Sequence, residues 1–272
     1  MKLKSVTVKK EEKISQIALN EGISYVAFKK ILRKKDVKVN GVRTNKDVEV
    51  KRGDKVEFYY VEAVENIVEV YKDENVLVCD KRQGIESRDF YDEVKKVYPS
   101  AIFTHRLDRN TGGLMIFALN DRAYRELYKA LRDRTIEKYY LALVWGVPPK
   151  KEDEITAYCK KDVAKSQVYV YPENGKGRLK MVTGYKLLKT DEITSLLEVK
   201  LITGRTHQIR SHLSFIGNFI LGDGKYGKEE INKRYRYKYQ QLFACRVIFH
   251  FESGSFLGYL NGKEIKIEKN IF

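Results

Sequence analysis

Short runs of β-branched, aromatic and aliphatic residues, each too brief for a helix, constrain this chain more than any other feature. The segments KVEFYYV, IVEV, NVLVCDK, LMIFAL, KYYLALV, SQVYVYP, SLLEVKLI and QLFACRVIFHF recur from residue 55 to residue 251, and such runs read as strands. Helical spacing is scarcer. After residue 66 it marks 89–98, 121–131, with Asp121 as the candidate cap, and 206–215. Many strands with few helices between them argue against a doubly wound parallel sheet and predict an α+β fold around a mixed, mostly antiparallel sheet. No repeat of fixed period and no low-complexity tract interrupts it.

The first sixty residues are patterned differently. Ile14, Ile17 and Ala18 predict a short helix over 12–20 that Gly22 ends, and a second helix over 25–33 places Phe28, Ile31 and Leu32 on one side. Lys29, Lys30, Arg33, Lys34 and Lys35 fall on or just beyond the other side, giving a basic face. Asn40-Gly41 within VKVNGVRT signals a tight hairpin, and a further strand follows Gly53. We expect a small α/β domain over 1–62, an acidic linker at 62–66, and a larger domain over 67–272.

Lys and Arg number 53 against 37 Asp and Glu, a formal charge of +16. Such a field favours polyanions, nucleic acid or anionic membrane surfaces alike. No window approaches the roughly 18 consecutive apolar residues of a membrane span, and the opening MKLKSVTVKKEEK lacks the apolar stretch of a secretion signal. Cys79, Cys159 and Cys245 are odd in number and widely spaced, which points to neither a disulfide framework nor a metal knuckle and to a reducing, cytoplasmic compartment.

Three patches hold residues that packing alone does not require: THRLDRNTGGL at 104–114, EKYYLALVWG at 137–146, and TGRTHQIRSHL with ILGDGKYG at 203–227. The first sets Asp108 between Arg106 and Arg109 in a Gly-ended loop before a buried strand. Flanking cations favour the ionised carboxylate, which suits a nucleophile better than a general acid. Taken alone, the motif fits a surface ion pair at least as well. In the third patch His207 and Arg210 share a helix face, whereas His212 turns with Ile209 and Leu213 and reads as structural. No HExxH pattern or third ligand cluster supports a metal site.

Together the patches are more specific. HRLDRNTGGL resembles the HRLDxxTSG signature of the RluA-type pseudouridine synthases, TGRTHQIRSHL resembles that family's TGRTHQIRVHL segment, and ILGDGKYG, EKYYLALVWG and VYKDENVLVCDKRQG fit in the same order. The amino-terminal part, through ILRKKDVKVNG and VKRGDKV, is similar to the small RNA-binding domain first known from ribosomal small-subunit proteins. The resemblance implies isomerisation of uridine in RNA to pseudouridine. In it Asp108 acts at the target nucleotide, at either the anomeric carbon or carbon six of the base. Arg210 pairs with Asp108, Tyr140 stacks on the base and takes part in removing the proton from carbon five, and Arg106 enters the RNA where the nucleotide has turned out. The chemistry involves no redox change or net hydrolysis, so no cofactor or metal is expected. The implied partner is RNA, large-subunit ribosomal RNA before transfer RNA, with a monomer as the default state.

The chain departs from the family pattern at Gly112, where serine is usual, at KRQG over 81–84 in place of KPxG, and at Phe243 in place of histidine. None removes Asp108, Tyr140 or Arg210. The tract KRYRYKY over 233–239 alternates cations with tyrosines, a composition suited to phosphate contact and base stacking through Lys233, Arg234 and Arg236, and equally to a solvated loop or edge strand. A non-catalytic RNA-binding factor of the same fold is the alternative, and it has no need of an isolated carboxylate aimed at a base.

Overall fold

The run LMIFA at 114–118 carries no polar side chain because both of its faces are covered. In the computed structural model, which describes residues 2–23, 25–60 and 67–272, the strand Gly112–Ala118 is buried along its whole length. Met115 and Phe117 pack on one side with Phe90, Tyr91 and Val94 of the helix Ser87–Val97. Leu114 and Ile116 pack on the other with Ala123, Leu127 and Ala130 of the helix Asp121–Asp133. Strand periodicity of two divides the residues between these cores. The neighbouring strand Val76–Lys81 is divided in the same way, Leu77 and Cys79 against Val76 and Val78.

The chain separates into two compact units, Met1–Asn66 and Ile67–Phe272; the linker expected at 62–66 lies outside the described residues. The first unit has helices Ile14–Asn20 and Tyr25–Arg33 and a sheet in the order Lys2–Thr7, Lys55–Tyr60, Val37–Val39, Val42–Thr44. Its core gathers Ile14, Ile17, Phe28, Ile31, Leu32, Val37, Val56 and Phe58. Asn40 and Gly41 both take positive φ, 49° and 81°, as the tight turn between twisted strands requires. Lys29, Lys30, Arg33 and Lys34 are exposed.

In the second unit the main path of the sheet runs Gln167–Tyr171, Glu152–Asp162, Leu179–Thr190, Thr194–Leu201, Ile136–Trp145, Leu242–Phe249, Gly112–Ala118, Val76–Lys81, Val68–Lys72. Neighbours on it are antiparallel except Gly112–Ala118 with Leu242–Phe249, so the sheet is mixed and mostly antiparallel. No helix among the described residues is long and apolar enough to cross a membrane.

Local readings are corrected at several points. The cap of Asp121–Asp133 is Asn120, whose side chain accepts the Ala123 N–H at 2.9 Å; Asp121 is already the first helical residue. The third helix begins at Gln208, with His207 before it in a left-handed conformation, φ 50°. Strands Glu152–Asp162 and Leu179–Thr190 arise where sequence patterning marked none, because glutamates and lysines fill most exposed positions of the first, and exposed Leu179 and Leu188 break the alternation of the second. The tract over 233–239 is neither loop nor edge strand at its start: Lys233 and Arg234 end the short helix Glu229–Tyr235, and Arg236 follows in the left-handed region.

The parallel pairing depends on one glycine. A Cβ on Gly113, whose φ is +108°, would lie 2.1 Å from the Ala244 carbonyl oxygen and 2.6 Å from its nitrogen, so backbone rather than a movable side chain blocks it. Gly113→Ala is expected to cost more than about 3 kcal/mol of unfolding free energy, beyond ordinary overpacking; a urea midpoint equal to that of the native chain would contradict the account.

Candidate active site

Asp108 lies in the loop that joins the short strand Ile102–Phe103 to Gly112–Ala118, and side chains from 81–87 tie that loop down. Ser87 Oγ donates to the Leu107 carbonyl at 2.7 Å and accepts the Leu107 N–H at 2.9 Å. The fully buried Lys81 ammonium donates to the carbonyls of Arg82, Ile85 and Arg109 at 3.0–3.2 Å. Burial pulls that ammonium down to about 8, against the opposing charges of Glu86, Asp108 and Asp80. Three carbonyl acceptors satisfy its protons in place of water. Gln83 Nε2 donates to the Asn110 carbonyl at 2.9 Å, and Gln240 Nε2 to Thr111 Oγ1 at 2.7 Å. The peptide on either side of Asp108 is therefore fixed before any ligand arrives.

The carboxylate itself is held from the third patch. Arg210, in the first turn of the helix Gln208–Phe215, donates through Nη1 to Asp108 Oδ2 at 2.9 Å. Its other edge makes a two-point bond to Asp223, Nε to Oδ2 at 2.7 Å and Nη2 to Oδ1 at 2.9 Å. Asp223 is wholly buried. Burial alone would raise its carboxyl, but Arg210 and the N–H groups of Lys225 and Tyr226 outweigh it and hold Asp223 below the usual carboxylate range. Burial likewise works against the Arg210 cation, and the two aspartates overcome it and raise its pKa. A planar fork with both edges engaged has little freedom left. The flanking arginines do not supply the ion pair: Arg109 Nε donates to the Gly84 carbonyl at 3.2 Å, and Arg106 is exposed at the cleft.

The turn ahead of Arg210 is built by Gln208. Its Oε1 accepts from Thr203 Oγ1 and from the Arg205 N–H, and its Nε2 donates to the Val182 carbonyl and Thr183 Oγ1. His207 Nδ1 meets the Tyr226 hydroxyl at 3.0 Å, and its Nε2 is 4.0 Å from Asp108 Oδ2. Burial, partly opposed by the Asp108 charge, lowers the His207 pKa, so at neutral pH the approach to Asp108 is not an ion pair. His212 is fully buried against Thr183 and pulled down to about 4 by that burial; it is part of the packing.

Asp108, His207, Gln208 and Arg210 line one cleft of about 460 Å³ together with Tyr140, Arg106, Thr111, Lys138 and Leu242. Tyr140 comes from the central strand Ile136–Trp145, beside Val199 and Ala244. Burial and the nearby Asp108 charge raise its pKa, which keeps the phenol protonated at neutral pH. The cleft thus joins a fixed carboxylate, an aromatic wall and an exposed arginine, a set suited to gripping a flat base and attacking an adjacent carbon. Lys233, Arg234 and Arg236 are exposed but do not line it. The tyrosines between them are engaged elsewhere: Tyr235 and Tyr237 stack on each other, and Tyr235 meets Trp145 edge-on.

A family model described as RNA pseudouridylate synthase matches residues 66–215. The chain belongs to that family. It is an RNA pseudouridine synthase, an isomerase that binds and modifies RNA. Among its relatives, the ribosomal large subunit pseudouridine synthase C of Rickettsia felis is 28% identical over 90% of this chain and 87% of its own. The enzyme of the same name from Escherichia coli is 28% identical over 79% of this chain and 75% of its own. In fold, the chain is similar to human RNA pseudouridylate synthase domain containing 1, with a TM-score of 0.62 and 23% identity over 78% of this chain and 94% of that one.

Two of the departures from the family pattern meet at a single point, whereas the third, Arg82 where KPxG has proline, pairs with Glu93 at 2.8 Å. Gly112 pairs with Phe243 across the parallel strands, and a Cβ on Gly112 would lie 2.8 Å from the Phe243 ring and 3.2 Å from Gln83 Cγ. Phe243 and Gln83 therefore occupy the space that a serine at 112 needs. Asp223 and Lys81 were not recognised as functional from sequence, since a lone aspartate between glycines and a strand-end lysine carry no local sign of what they hold. Gly112→Ser is expected to cost ~1–3 kcal/mol by overpacking. Combined with Phe243→Ala, urea unfolding should show a cost well below the sum of the two; strictly additive costs would show that the positions do not act on each other.

Proposed function

We propose that this enzyme isomerises uridines of large-subunit ribosomal RNA, with Asp108 as the residue that acts at the target nucleotide. The observation that carries the reading is the Asp108 carboxylate held at 2.9 Å by an arginine that a buried Asp223 fixes from behind, inside the cleft that Tyr140 lines. In the reaction the bond from the anomeric carbon to N1 breaks, the base turns, and a bond to carbon five forms. The proton on carbon five leaves and N1 takes up another, so atoms and electrons balance without oxidant, hydride or net hydrolysis. Whichever carbon Asp108 addresses, its carboxylate must be aimed at the moment of attack, and the 2.9 Å bond from Arg210 aims it. Tyr140 supplies a face for the base as a neutral phenol rather than as a strong base.

The target nucleotide has to leave its stack before this chemistry, and Arg106, exposed at the cleft, is the guanidinium suited to take its place. Residues 1–62 serve as an RNA-binding domain similar to that of ribosomal small-subunit proteins, with Lys29, Lys30, Arg33 and Lys34 toward phosphate, and 67–272 is the catalytic domain. Lys233, Arg234 and Arg236 add phosphate contacts outside the cleft. The large-subunit assignment is supported by the names of relatives aligned over most of the chain. We further take the protein to act as a cytoplasmic monomer without cofactor.

Tritium release from uridine labelled at carbon five measures the reaction directly. With protein-free large-subunit ribosomal RNA, the native enzyme should release label and Asp108→Asn should fall by at least about a thousandfold, as expected on losing a nucleophile. Release undiminished in Asp108→Asn would remove Asp108 from the chemistry, and release from transfer RNA alone would move the substrate.

A further inference from the structure

Beside the active-site cleft lies a smaller cavity of about 240 Å³ whose charged lining is Arg132, Arg134, Lys138 and Arg205, with no carboxylate. It is continuous with the cleft, since Lys138, Gly204 and Arg205 line both. Arg132 is answered by Asp133 at 2.9 Å, and Arg205 Nε by the Lys180 carbonyl at 3.2 Å. Lys138 is different. It is half-buried at the start of the strand Ile136–Trp145, and among the described residues no carboxylate or hydrogen-bond acceptor acts on its ammonium. The charged neighbour that acts on it is Arg134, of like sign, and the imidazole it in turn acts on, His105, is held neutral, pulled down to about 3 first by burial and then by Lys138 itself.

An ammonium taken partly out of water is normally paired. Here the cavity leaves room for a partner from outside. The position says where on a ligand that partner would be, because Lys138 and Tyr140, two residues apart on a strand whose register with Leu242–Phe249 shifts between Tyr139 and Tyr140, both line the cleft, about 6.6 Å of strand rise apart, on the scale of one nucleotide. Arg134 strengthens the case from the backbone: it holds φ 65°, the left-handed region unusual for a residue with a side chain, as the cap of Asp121–Asp133. A glycine would serve the cap better, yet the position carries a cation at the cavity.

We propose that Lys138, with Arg134 and Arg205, binds the RNA phosphodiester next to the target uridine, so that backbone and base are gripped by one strand through Lys138 and Tyr140. The proposal rests on uridine-containing RNA entering the cleft. Its occupant is a phosphodiester of the substrate strand rather than free phosphate.

Binding of a short oligouridylate across a salt series tests it without turnover. Lys138→Met should weaken binding about tenfold and lower the slope of log affinity against log salt by about 0.7, the contribution of one single-strand phosphate contact. Arg134→Gly should lower the slope in the same direction while leaving the melting temperature unchanged or raised, because its φ suits glycine; this separates a lost contact from a lost fold. Asp108→Asn, which removes the chemistry, should leave the slope near the native value. Slopes equal to native in both Lys138→Met and Arg134→Gly would overturn the phosphate site, whether or not Asp108-dependent release of label is found. So would selective loss of oligouridylate binding in the native protein when inorganic phosphate replaces chloride at equal ionic strength, since that would mark a site for the free ion.

Discussion

Arg210 is a buried cation with two carboxylates to satisfy, and the geometry of the site follows from how it does so. Asp223 takes two of its N–H groups at 2.7 and 2.9 Å and is itself sealed from water. Asp108 takes a third from the cleft side. Removing one member of such a set leaves an uncompensated charge in a poorly solvated place, at a cost of about 3–5 kcal/mol. Asp223 does not line the cleft. It fixes the plane of the guanidinium, and that plane fixes where the Asp108 oxygen points.

The opposite side of Asp108 is fixed by backbone. Lys81, Ser87, Gln83 and Gln240 bond to the loop between Leu107 and Thr111, so the carboxylate is gripped from its own peptide and from across the sheet. The close approach of Gly112–Gly113 to Phe243–Ala244 sets the end of that loop. Replacing serine by glycine at 112 and histidine by phenylalanine at 243 is a single repacking beneath the loop, against Gln83, rather than two separate losses.

Much of this was legible in the sequence for physical reasons. Alternation and β-branched runs marked the strands that bury at least one face, and the strand Gly112–Ala118, covered on both, showed itself as an unbroken apolar run. Glu152–Asp162 escaped because acids and lysines crowd its ends, and Leu179–Thr190 because exposed Leu179 and Leu188 blur the period. The Asp108–Arg210 pairing was available from motif resemblance, whereas sequence neighbourhood alone pointed to Arg106, which is exposed at the cleft, and to Arg109, which donates to the Gly84 carbonyl. Asp223 and Lys81 lie in the segments ILGDGKYG and VYKDENVLVCDKRQG, but what they hold, like the contact of Gly112 with Phe243, depends on segments brought together only by the fold. The alternating cations and tyrosines over 233–239 suggested base stacking, yet Tyr235 and Tyr237 spend their faces on each other and on Trp145.

The most direct test of the central claim is Asp223→Asn, an isosteric change at a residue that does not line the cleft, followed by single-turnover tritium release and by RNA affinity in parallel. If Asp223 aims Arg210 and Arg210 aims Asp108, the rate of release should fall about a hundredfold, the scale of an ångström's misplacement, while the dissociation constant for RNA stays at the native value. A native rate with a folded variant would contradict the account, because the arginine would then hold Asp108 without support from behind.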